Sequence, residues 1–323
     1  MLAEFLTILA GIIVIVTLSE LIIKYSILLA QHYGMSGTFI GLTILSLGTS
    51  IPEIMTSLLG GIQILQDNTL RPTLSGLIVG ANIGSDIFQQ TLVLSIIAIL
   101  GGIVVVRKNL NLEVGSLICA SLMVLLFALD GNISRLEGLI LMISYLGYLI
   151  LIKQSKISQE ISVSNNLSKK GIILSFSLII FCFVIIGFMM QNILKAAVSL
   201  TGLLPVSASF LGIVMLGIAS ALPELSTSLI AVLKKKSDIS AGILLGSGIT
   251  NSLLALGLGS FISGYIMPKA TLYYDLPFKI ACAGLIYFFL SRDEKMDLKE
   301  AVILIALFFG YLIIRTIYFP ADL

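Results

Sequence analysis

The chain has 323 residues, of which 58% are hydrophobic and 11% are charged, and its mean hydropathy is +1.11. Soluble globular domains carry about 25% charged residues, so this composition excludes a soluble enzyme, a secreted disulfide-bonded protein and a disordered protein. The formal net charge of +2 gives no basic excess for binding nucleic acid, and a single histidine argues against a histidine-based metal or catalytic centre. We therefore predict a polytopic membrane protein without a cofactor.

Ten apolar stretches are long enough to cross a bilayer, because a helical span needs about 20 residues. They cover residues 5–30, 36–65, 72–101, 113–129, 134–152, 171–192, 206–233, 239–267, 275–291 and 298–319. The first has no positively charged segment before it, so it is interpreted as a span and not as a signal peptide. Several stretches exceed the length of one span and must tilt, bend or break. The prediction is an all-α protein with ten transmembrane helices.

A polar, serine-rich stretch at residues 153–170 divides the predicted spans into two sets of five. We predict a first five-helix repeat at 1–152 and a second at 171–323. With loops on alternate sides, twelve Lys and Arg residues share the side of the 153–170 loop, and six, including Lys279 and Arg315, lie on the other. Cytoplasmic loops carry the excess of Lys and Arg, which predicts a cytoplasmic 153–170 loop and external termini.

The two predicted halves repeat a Pro-Glu motif. Residues 41–53 read Gly-Leu-Thr-Ile-Leu-Ser-Leu-Gly-Thr-Ser-Ile-Pro-Glu, and residues 212–224 read Gly-Ile-Val-Met-Leu-Gly-Ile-Ala-Ser-Ala-Leu-Pro-Glu. A Gly-Ser pair also recurs, at residues 84–85 and 246–247. Because five spans per half is an odd number, the second half must be inverted with respect to the first. Inverted-topology repeats are a recurring architecture of transporters.

Each motif places a glutamate, Glu53 or Glu224, near the middle of a long apolar stretch. A carboxylate at the centre of a bilayer costs at least a few kcal/mol unless it faces a partner, a cation or water. Pro52 and Pro223 lack the N–H group that an uninterrupted helix needs, so a helix break is predicted beside each glutamate. The carbonyl groups freed by these breaks are those of Gly48 and Ala219.

Other side chains with oxygen atoms accompany the two glutamates. The candidate ligands are Thr49, Ser50, Ser85, Gln89, Ser220, Ser247 and Asn251, and Asp86 is a possible addition. Carboxylate, carbonyl and hydroxyl oxygens are the ligands that hard cations such as Ca²⁺ and Na⁺ prefer. We therefore predict one cation site where the two motifs meet at the midplane. The same serine and amide groups could instead form hydrogen bonds between helices, and Asp86 could face a solvent-filled vestibule.

With these residues in place, the chain resembles the cation/calcium antiporter superfamily over nearly its whole length, and within it the prokaryotic sodium/calcium exchangers. The complete first motif, Gly-Thr-Ser-Ile-Pro-Glu, carries the resemblance together with the later Gly-Ser pair. The resemblance implies that Glu53 and Glu224 bind Ca²⁺ in one state and Na⁺ in the other. It also implies that the first and sixth spans slide across the other eight. Four positions depart from the family pattern: Ala221 lacks a hydroxyl, Gln89 replaces an asparagine, Asn251 replaces an aspartate, and Asp86 occupies a position that is usually uncharged.

The functional prediction is a secondary antiporter that exchanges Ca²⁺ for Na⁺ in the lipid bilayer, without enzymatic activity and without a required protein partner. The sequence contains no nucleotide-binding motif, so an ion gradient must supply the energy. Coupling to H⁺ is the first alternative, because protonation of a glutamate could replace cation binding. A passive cation channel is the second alternative, since polar groups at the midplane do not by themselves exclude a leak.

Overall fold

A computed structural model describes residues 2–33, 40–101, 105, 110–154, 167–233 and 237–319. These residues are almost entirely helical, which confirms the predicted all-α class. The helices are α1 (Leu2–His32), α2 (Ser46–Thr49), α3 (Ile51–Gln66), α4 (Arg71–Phe88), α5 (Leu94–Gly101), α6 (Ser116–Phe127), α7 (Arg135–Gln154), α8 (Lys169–Thr201), α9 (Ala208–Leu211), α10 (Ile218–Ser220), α11 (Leu222–Leu233), α12 (Ser237–Thr250), α13 (Leu256–Ser263), α14 (Leu276–Asp293) and α15 (Leu298–Tyr318). Two short strands, β1 (Asn132–Ile133) and β2 (Tyr265–Ile266), pair antiparallel.

Wider turns with the geometry of a π-helix precede or join several of these helices in the described residues. They are Ile40–Leu45, Gln89–Val93, Asn111–Gly115, Gly212–Gly217, Asn251–Ala255 and Thr271–Asp275. Such turns are rare and occur frequently at functional sites. Two of them begin at Gln89 and Asn251, which the sequence predicts as cation ligands.

Within the described ranges, nine helical stretches are long and apolar enough to cross a membrane. They are Leu2–Leu29, Asn68–Gly101, Asn111–Asp130, Arg135–Gln154, Lys169–Thr201, Ala208–Leu233, Ser240–Ser263, Thr271–Arg292 and Leu298–Tyr318. The predicted span 36–65 is not among them, and its described part is divided at Ser50 into α2 and α3, as Ala208–Leu233 is divided at Ala221. Pro52 accounts for the division at Ser50, since proline removes a backbone donor from the helix. Residues 34–39 lie outside the described ranges, so the count of ten spans stays a prediction.

The order of elements is the same in the two halves of the chain. Each half contains a broken Pro-Glu helix, which is α2–α3 in the first and α10–α11 in the second. A longer helix with a wide turn inside it follows, α4–α5 in the first half and α12–α13 in the second. A wide turn then leads into α6 or α14, and α7 or α15 is the last helix of its half. A duplicated unit of five spans would produce this order.

Side-chain hydrogen bonds show that α3 and α4 run in opposite directions. Near the start of α3, Glu53 accepts a hydrogen bond from Ser85. One turn later in α3, Ser57 accepts a hydrogen bond from Asn82, which precedes Ser85 in α4. Contacts that advance along one helix while they retreat along the other are those of an antiparallel pair.

Glycines bring α4 against the Ala208–Leu233 span in the parallel direction. A Cβ atom on Gly80 would lie 2.5 Å from the carbonyl oxygen of Ser209, and one on Gly84 would lie 2.6 Å from Cα of Ile213. Only glycine allows backbones to approach this closely. Because α3 is antiparallel to α4, it is also antiparallel to the Ala208–Leu233 span, and the two Pro-Glu helices therefore have the opposed directions that an inverted repeat requires.

The spans differ strongly in burial. In the apolar stretches of Ser240–Ser263 and Asn68–Gly101, 89% and 78% of the residues are buried, against 17% in α8 and 29% in α1. The helices α1 and α8 pack along one another at the outside of the bundle. Most of their outward side chains are apolar, as contact with lipid tails requires, and the exposed polar ones include Glu20, Lys24, Gln191 and Lys195.

Candidate cation site

Both Pro-Glu motifs start a new helix in the interior of the protein. After α2 ends at Thr49, Ser50 departs from helical geometry with ψ of 8°, and α3 then begins with Glu53 in its first turn. Ala221, with ψ of 0°, has the same position before α11, whose first turn contains Glu224. The first turn of a helix carries partial positive charge from its free N–H groups. Each predicted break is therefore confirmed, and each stabilises a negative charge at a buried position.

Glu53 is held by hydrogen bonds from α4. Its side chain is 1% exposed, and its Oε1 atom accepts a hydrogen bond from the Ser85 hydroxyl at 2.6 Å. The amide of Gln89 donates to the Ser85 hydroxyl at 2.9 Å. A separation of four residues places Ser85 and Gln89 on one face of the helix, and the structure directs that face towards Glu53.

Glu224 has a matching environment in the second half. It is fully buried, and its Oε1 atom accepts a hydrogen bond from the Ser247 hydroxyl at 3.0 Å. The Ser247 hydroxyl also lies 2.8 Å from the hydroxyl of Ser50. Since Ser50 belongs to the first motif, this contact links the helix break of one half to the carboxylate of the other. The same contact brings Ser50, three residues before Glu53, to the hydroxyl that binds Glu224.

Thr49 and Ser220 lie near the carboxylate of the opposite half. Ser220 lines the same small cavity as Glu53, and Thr49 precedes Ser50, whose hydroxyl contacts the serine that binds Glu224. Each hydroxyl donates its proton to a carbonyl oxygen three residues earlier in its own chain segment, at 3.2 Å for Thr49 and 3.1 Å for Ser220. A hydroxyl that donates in this way keeps oxygen lone pairs for a cation.

Several buried oxygen atoms of the site accept no hydrogen bond from the described residues. They are Oε2 of Glu53, Oε2 of Glu224, Oε1 of Gln89 and Oδ1 of Asn251. A buried acceptor without a partner costs about 1–3 kcal/mol, so these atoms favour the entry of a positive charge. In the described ranges, no three His, Cys, Asp or Glu side chains gather as a metal centre. This chain therefore offers a cation two carboxylates surrounded by neutral oxygens.

A cavity of about 20 Å³ lies against Glu53, with Ser220 and Ala219 in the same wall. The apolar wall consists of Ile12, Ile15 and Val16 from α1 and of Met190 and Ile193 from α8. A space of this size holds about one water molecule, so α1 and α8 leave little room for bulk water beside Glu53. Gly48, the other residue with a predicted free carbonyl, is buried in α2.

Asp86 lies in a second polar cluster beside the first. Its Oδ1 atom accepts a hydrogen bond from the amide of Asn251 at 2.8 Å, and its carboxylate forms an ion pair with Lys279. Lys279 also donates to the hydroxyl of Ser252 at 2.7 Å. All four side chains are buried. The vestibule considered for Asp86 is therefore wrong, and the amide of Asn251 is engaged with Asp86.

Sequence analysis missed Lys279 and counted it, with Arg315, among the loop residues that set orientation. Both side chains are 0% exposed, and Nε of Arg315 lies 3.1 Å from Oδ1 of Asp275. The less basic side therefore retains four Lys and Arg residues against twelve. A charge inside an apolar span needs a buried partner. The position of Lys279 within the predicted span 275–291 could therefore have identified it as a buried, paired residue. Sequence spacing alone would instead have suggested Asp275 as the partner of Lys279, because Asp275 lies four residues before it on the helix.

Broken helices that meet around a buried carboxylate pair, within a bundle of membrane-spanning helices, are typical of secondary transporters. The chain belongs to the sodium/calcium exchanger protein family, which matches residues 3–153 and 174–317. Membership confirms the predicted antiporter superfamily and an integral membrane protein that transports ions and is not an enzyme.

Similar proteins cover most of the chain. The sodium/calcium exchanger MaX1 of Methanosarcina acetivorans is 22% identical over an alignment of 353 positions that includes 96% of this chain and 98% of MaX1. The inner membrane protein YrbG of Escherichia coli is 25% identical over 270 residues, 80% of each chain. Among solved structures, the sodium-calcium exchanger NCX_Mj matches with a TM-score of 0.69 and 24% identity, covering 96% of this chain and 97% of that chain. The fold is therefore that of NCX_Mj.

Proposed function

We propose that the protein exchanges Ca²⁺ for Na⁺ across the membrane through a site between Glu53 and Glu224. The observation that carries the proposal is the pair of buried carboxylates, one from each helix break, each with an oxygen that accepts no hydrogen bond from any residue the structure describes. Two carboxylates balance the charge of one Ca²⁺, and the hydroxyls of Thr49 and Ser220 add neutral ligands. Ca²⁺ takes about 6–8 oxygen ligands, so backbone carbonyls at the two breaks would complete its shell.

The ligands and the residues that position them have different roles in this proposal. Direct contact with the cations is assigned to Glu53, Glu224, Thr49, Ser50 and Ser220, and to the carbonyl groups of Gly48 and Ala219. Ser85 and Ser247 orient the carboxylates through the hydrogen bonds described above. The amide oxygens of Gln89 and Asn251 accept no hydrogen bond within the described part of the chain and are assigned to Na⁺ at the edges of the site.

Na⁺ is the coupling ion in this proposal, because uncharged hydroxyl and amide oxygens are ligands for Na⁺ and a proton would not need them. Two relatives support this choice: MaX1 is named a sodium/calcium exchanger, and NCX_Mj, a sodium-calcium exchanger, was studied after soaking with Na⁺ and Sr²⁺. Coupling to H⁺ is the alternative. Ala221 favours this alternative, because the second motif has alanine where the first motif has Ser50 and therefore has one hydroxyl fewer.

Alternating access would arise from movement of α1 and α8 across the other helices. Both helices lie at the outside of the bundle and contribute the apolar wall beside Glu53. A shift of this pair would open the wall without breaking the buried contacts between α3, α4, α11 and α12. The narrowness of the cavity favours an exchanger, since a passive channel needs a continuous wet path.

The proposed orientation follows from the Lys and Arg count after correction. Twelve such residues against four place the 153–170 loop in the cytoplasm and both termini outside, with 1–152 and 171–323 as the inverted repeats. Residues 155–166 of the loop lie outside the described ranges. A reporter inserted in this loop should be cytoplasmic, and one fused after Leu323 should be external. The same location for both reporters would contradict the odd number of spans per repeat.

Flux measurements on purified protein in liposomes test the function. Vesicles loaded with Na⁺, K⁺ or acid are diluted into radiolabelled Ca²⁺, and vesicles without protein serve as the control. Uptake driven by internal Na⁺ alone is the expected result. Uptake driven by the proton gradient would favour the alternative, and uptake without any opposing gradient would identify a channel.

A further inference from the structure

A buried lysine lies beside the proposed cation site. Lys279 is in the Thr271–Arg292 span and is 0% exposed. Its ammonium group forms an ion pair with Asp86 and donates a hydrogen bond to Ser252 at 2.7 Å. The span that contains it lies next to α4, which carries Asp86. A positive charge inside a membrane protein is costly, and residues of this kind commonly mark ion pathways.

This ion pair adjoins the two-glutamate centre directly. Asp86 follows Ser85, whose hydroxyl donates a hydrogen bond to Glu53. The Asn251 amide, at the start of a wide turn, donates to Asp86 at 2.8 Å. The ammonium of Lys279 thus occupies a position among oxygen atoms where a mobile cation could otherwise bind.

The charges of the combined cluster have a simple total. Glu53, Glu224 and Asp86 contribute three negative charges, and Lys279 contributes one positive charge. The sum of two negative charges is neutralised by one Ca²⁺ or by two monovalent cations. Without the lysine, three negative charges would accommodate three monovalent cations.

We infer that Lys279 is a fixed cation that takes the place of a transported one beside Asp86, so that one Ca²⁺ exchanges for two monovalent cations without net movement of charge. The inference rests on the proposed function and adds its stoichiometry. It holds for either coupling ion, because Na⁺ and H⁺ carry the same charge. Lys279 is a specificity-determining residue in this scheme and does not contact Ca²⁺.

The dependence of exchange on membrane potential tests the inference. The membrane potential of the vesicles is clamped with K⁺ and valinomycin, and the ratio of internal to external Ca²⁺ concentration at which net flux stops is measured. For the unaltered protein, this concentration ratio should be independent of the potential. Lys279→Met frees Asp86 for a third monovalent cation, so each cycle moves one charge. The ratio of internal to external Ca²⁺ concentration at zero net flux should then change by about 50-fold for each 100 mV of membrane potential.

Two further variants separate a coupling role from a structural one. Lys279→Arg keeps the charge and should remain independent of potential. Lys279→Met combined with Asp86→Asn removes both charges and should also remain independent, even if its rate falls. Potential-dependent exchange by the unaltered protein, or unchanged potential independence in Lys279→Met, would overturn the inference and leave the proposed function intact. Absence of Ca²⁺ exchange in the unaltered protein would overturn the proposed function and the inference with it.

Discussion

The two Pro-Glu motifs share a helix break and a buried glutamate but differ in the polar groups around them. Ser50 of the first motif reaches Ser247, whereas Ala221 has no hydroxyl to form the reciprocal contact. Gln89 supports the serine that holds the first glutamate, whereas Asn251 donates to Asp86. The comparison shows that two matching helix breaks supply a pair of buried carboxylates, while the side chains around them differ and include the adjoining ion pair between Asp86 and Lys279.

Removal of either carboxylate tests whether Glu53 and Glu224 contribute equally to the Ca²⁺ site. These substitutions have the largest expected effect on exchange. Glu53→Gln and Glu224→Gln should each abolish Ca²⁺ exchange, because the remaining carboxylate cannot balance a divalent ion. Loss of one buried charged partner costs about 3–5 kcal/mol, which corresponds to Ca²⁺ binding weaker by about 100-fold to several thousand-fold. Calorimetric titration with Ca²⁺ and flux in liposomes measure the two effects.

Glu137→Gln is the matched control for these variants, because it makes the same chemical change at a residue that contacts Ser134 near a helix start. It should exchange Ca²⁺ normally. If either site variant transports at the rate of the control, the Pro-Glu motifs are structural breaks and the symmetric centre does not bind Ca²⁺.

The ion pair between Asp86 and Lys279 should be detectable as a change in the free energy of unfolding. Asp86→Asn leaves the ammonium of Lys279 buried without a counter-charge, which is expected to reduce the free energy of unfolding by about 3–5 kcal/mol. The double variant Asp86→Asn, Lys279→Met removes both charges and should recover most of that loss. Thermal denaturation in one detergent compares the three proteins. Equal losses in the single and double variants would show that the two charges do not depend on each other.

The smallest expected effects come from the hydroxyl that distinguishes the motifs. Ser50→Ala should weaken Na⁺ activation by about 2- to 10-fold, the range of one net hydrogen bond. Ala221→Ser should strengthen it by a similar factor, because it restores the missing hydroxyl. Asn251→Asp is a poorer test, since it replaces the amide that donates to Asp86 with a repelling carboxylate.

Ser121→Ala is the control for both substitutions, because Ser121 is buried in α6 and its hydroxyl donates to a backbone carbonyl four residues earlier. Its Na⁺ dependence should be unchanged. A response to Ala221→Ser that equals the response to the control would mean that this position does not face Na⁺.

Much of the site could be predicted because its signals are local. Pro52 and Pro223 lack a backbone donor wherever they occur, so the breaks follow from covalent structure. The pairing of Ser85 with Gln89 follows from helical periodicity. The contact between Ser50 and Ser247 joins residues 197 positions apart, and no local pattern specifies it.

The sequence alone determined that this protein lies in a membrane and that each of its two Pro-Glu motifs carries a buried carboxylate at a helix break. Hydrophobic composition and backbone chemistry act over a few residues, so they can be recognised without knowledge of the fold. Only the tertiary structure decided that Lys279 faces Asp86 and that Arg315 faces Asp275. A buried charge is stabilised by whichever opposite charge packing brings to it, and packing depends on every helix at once.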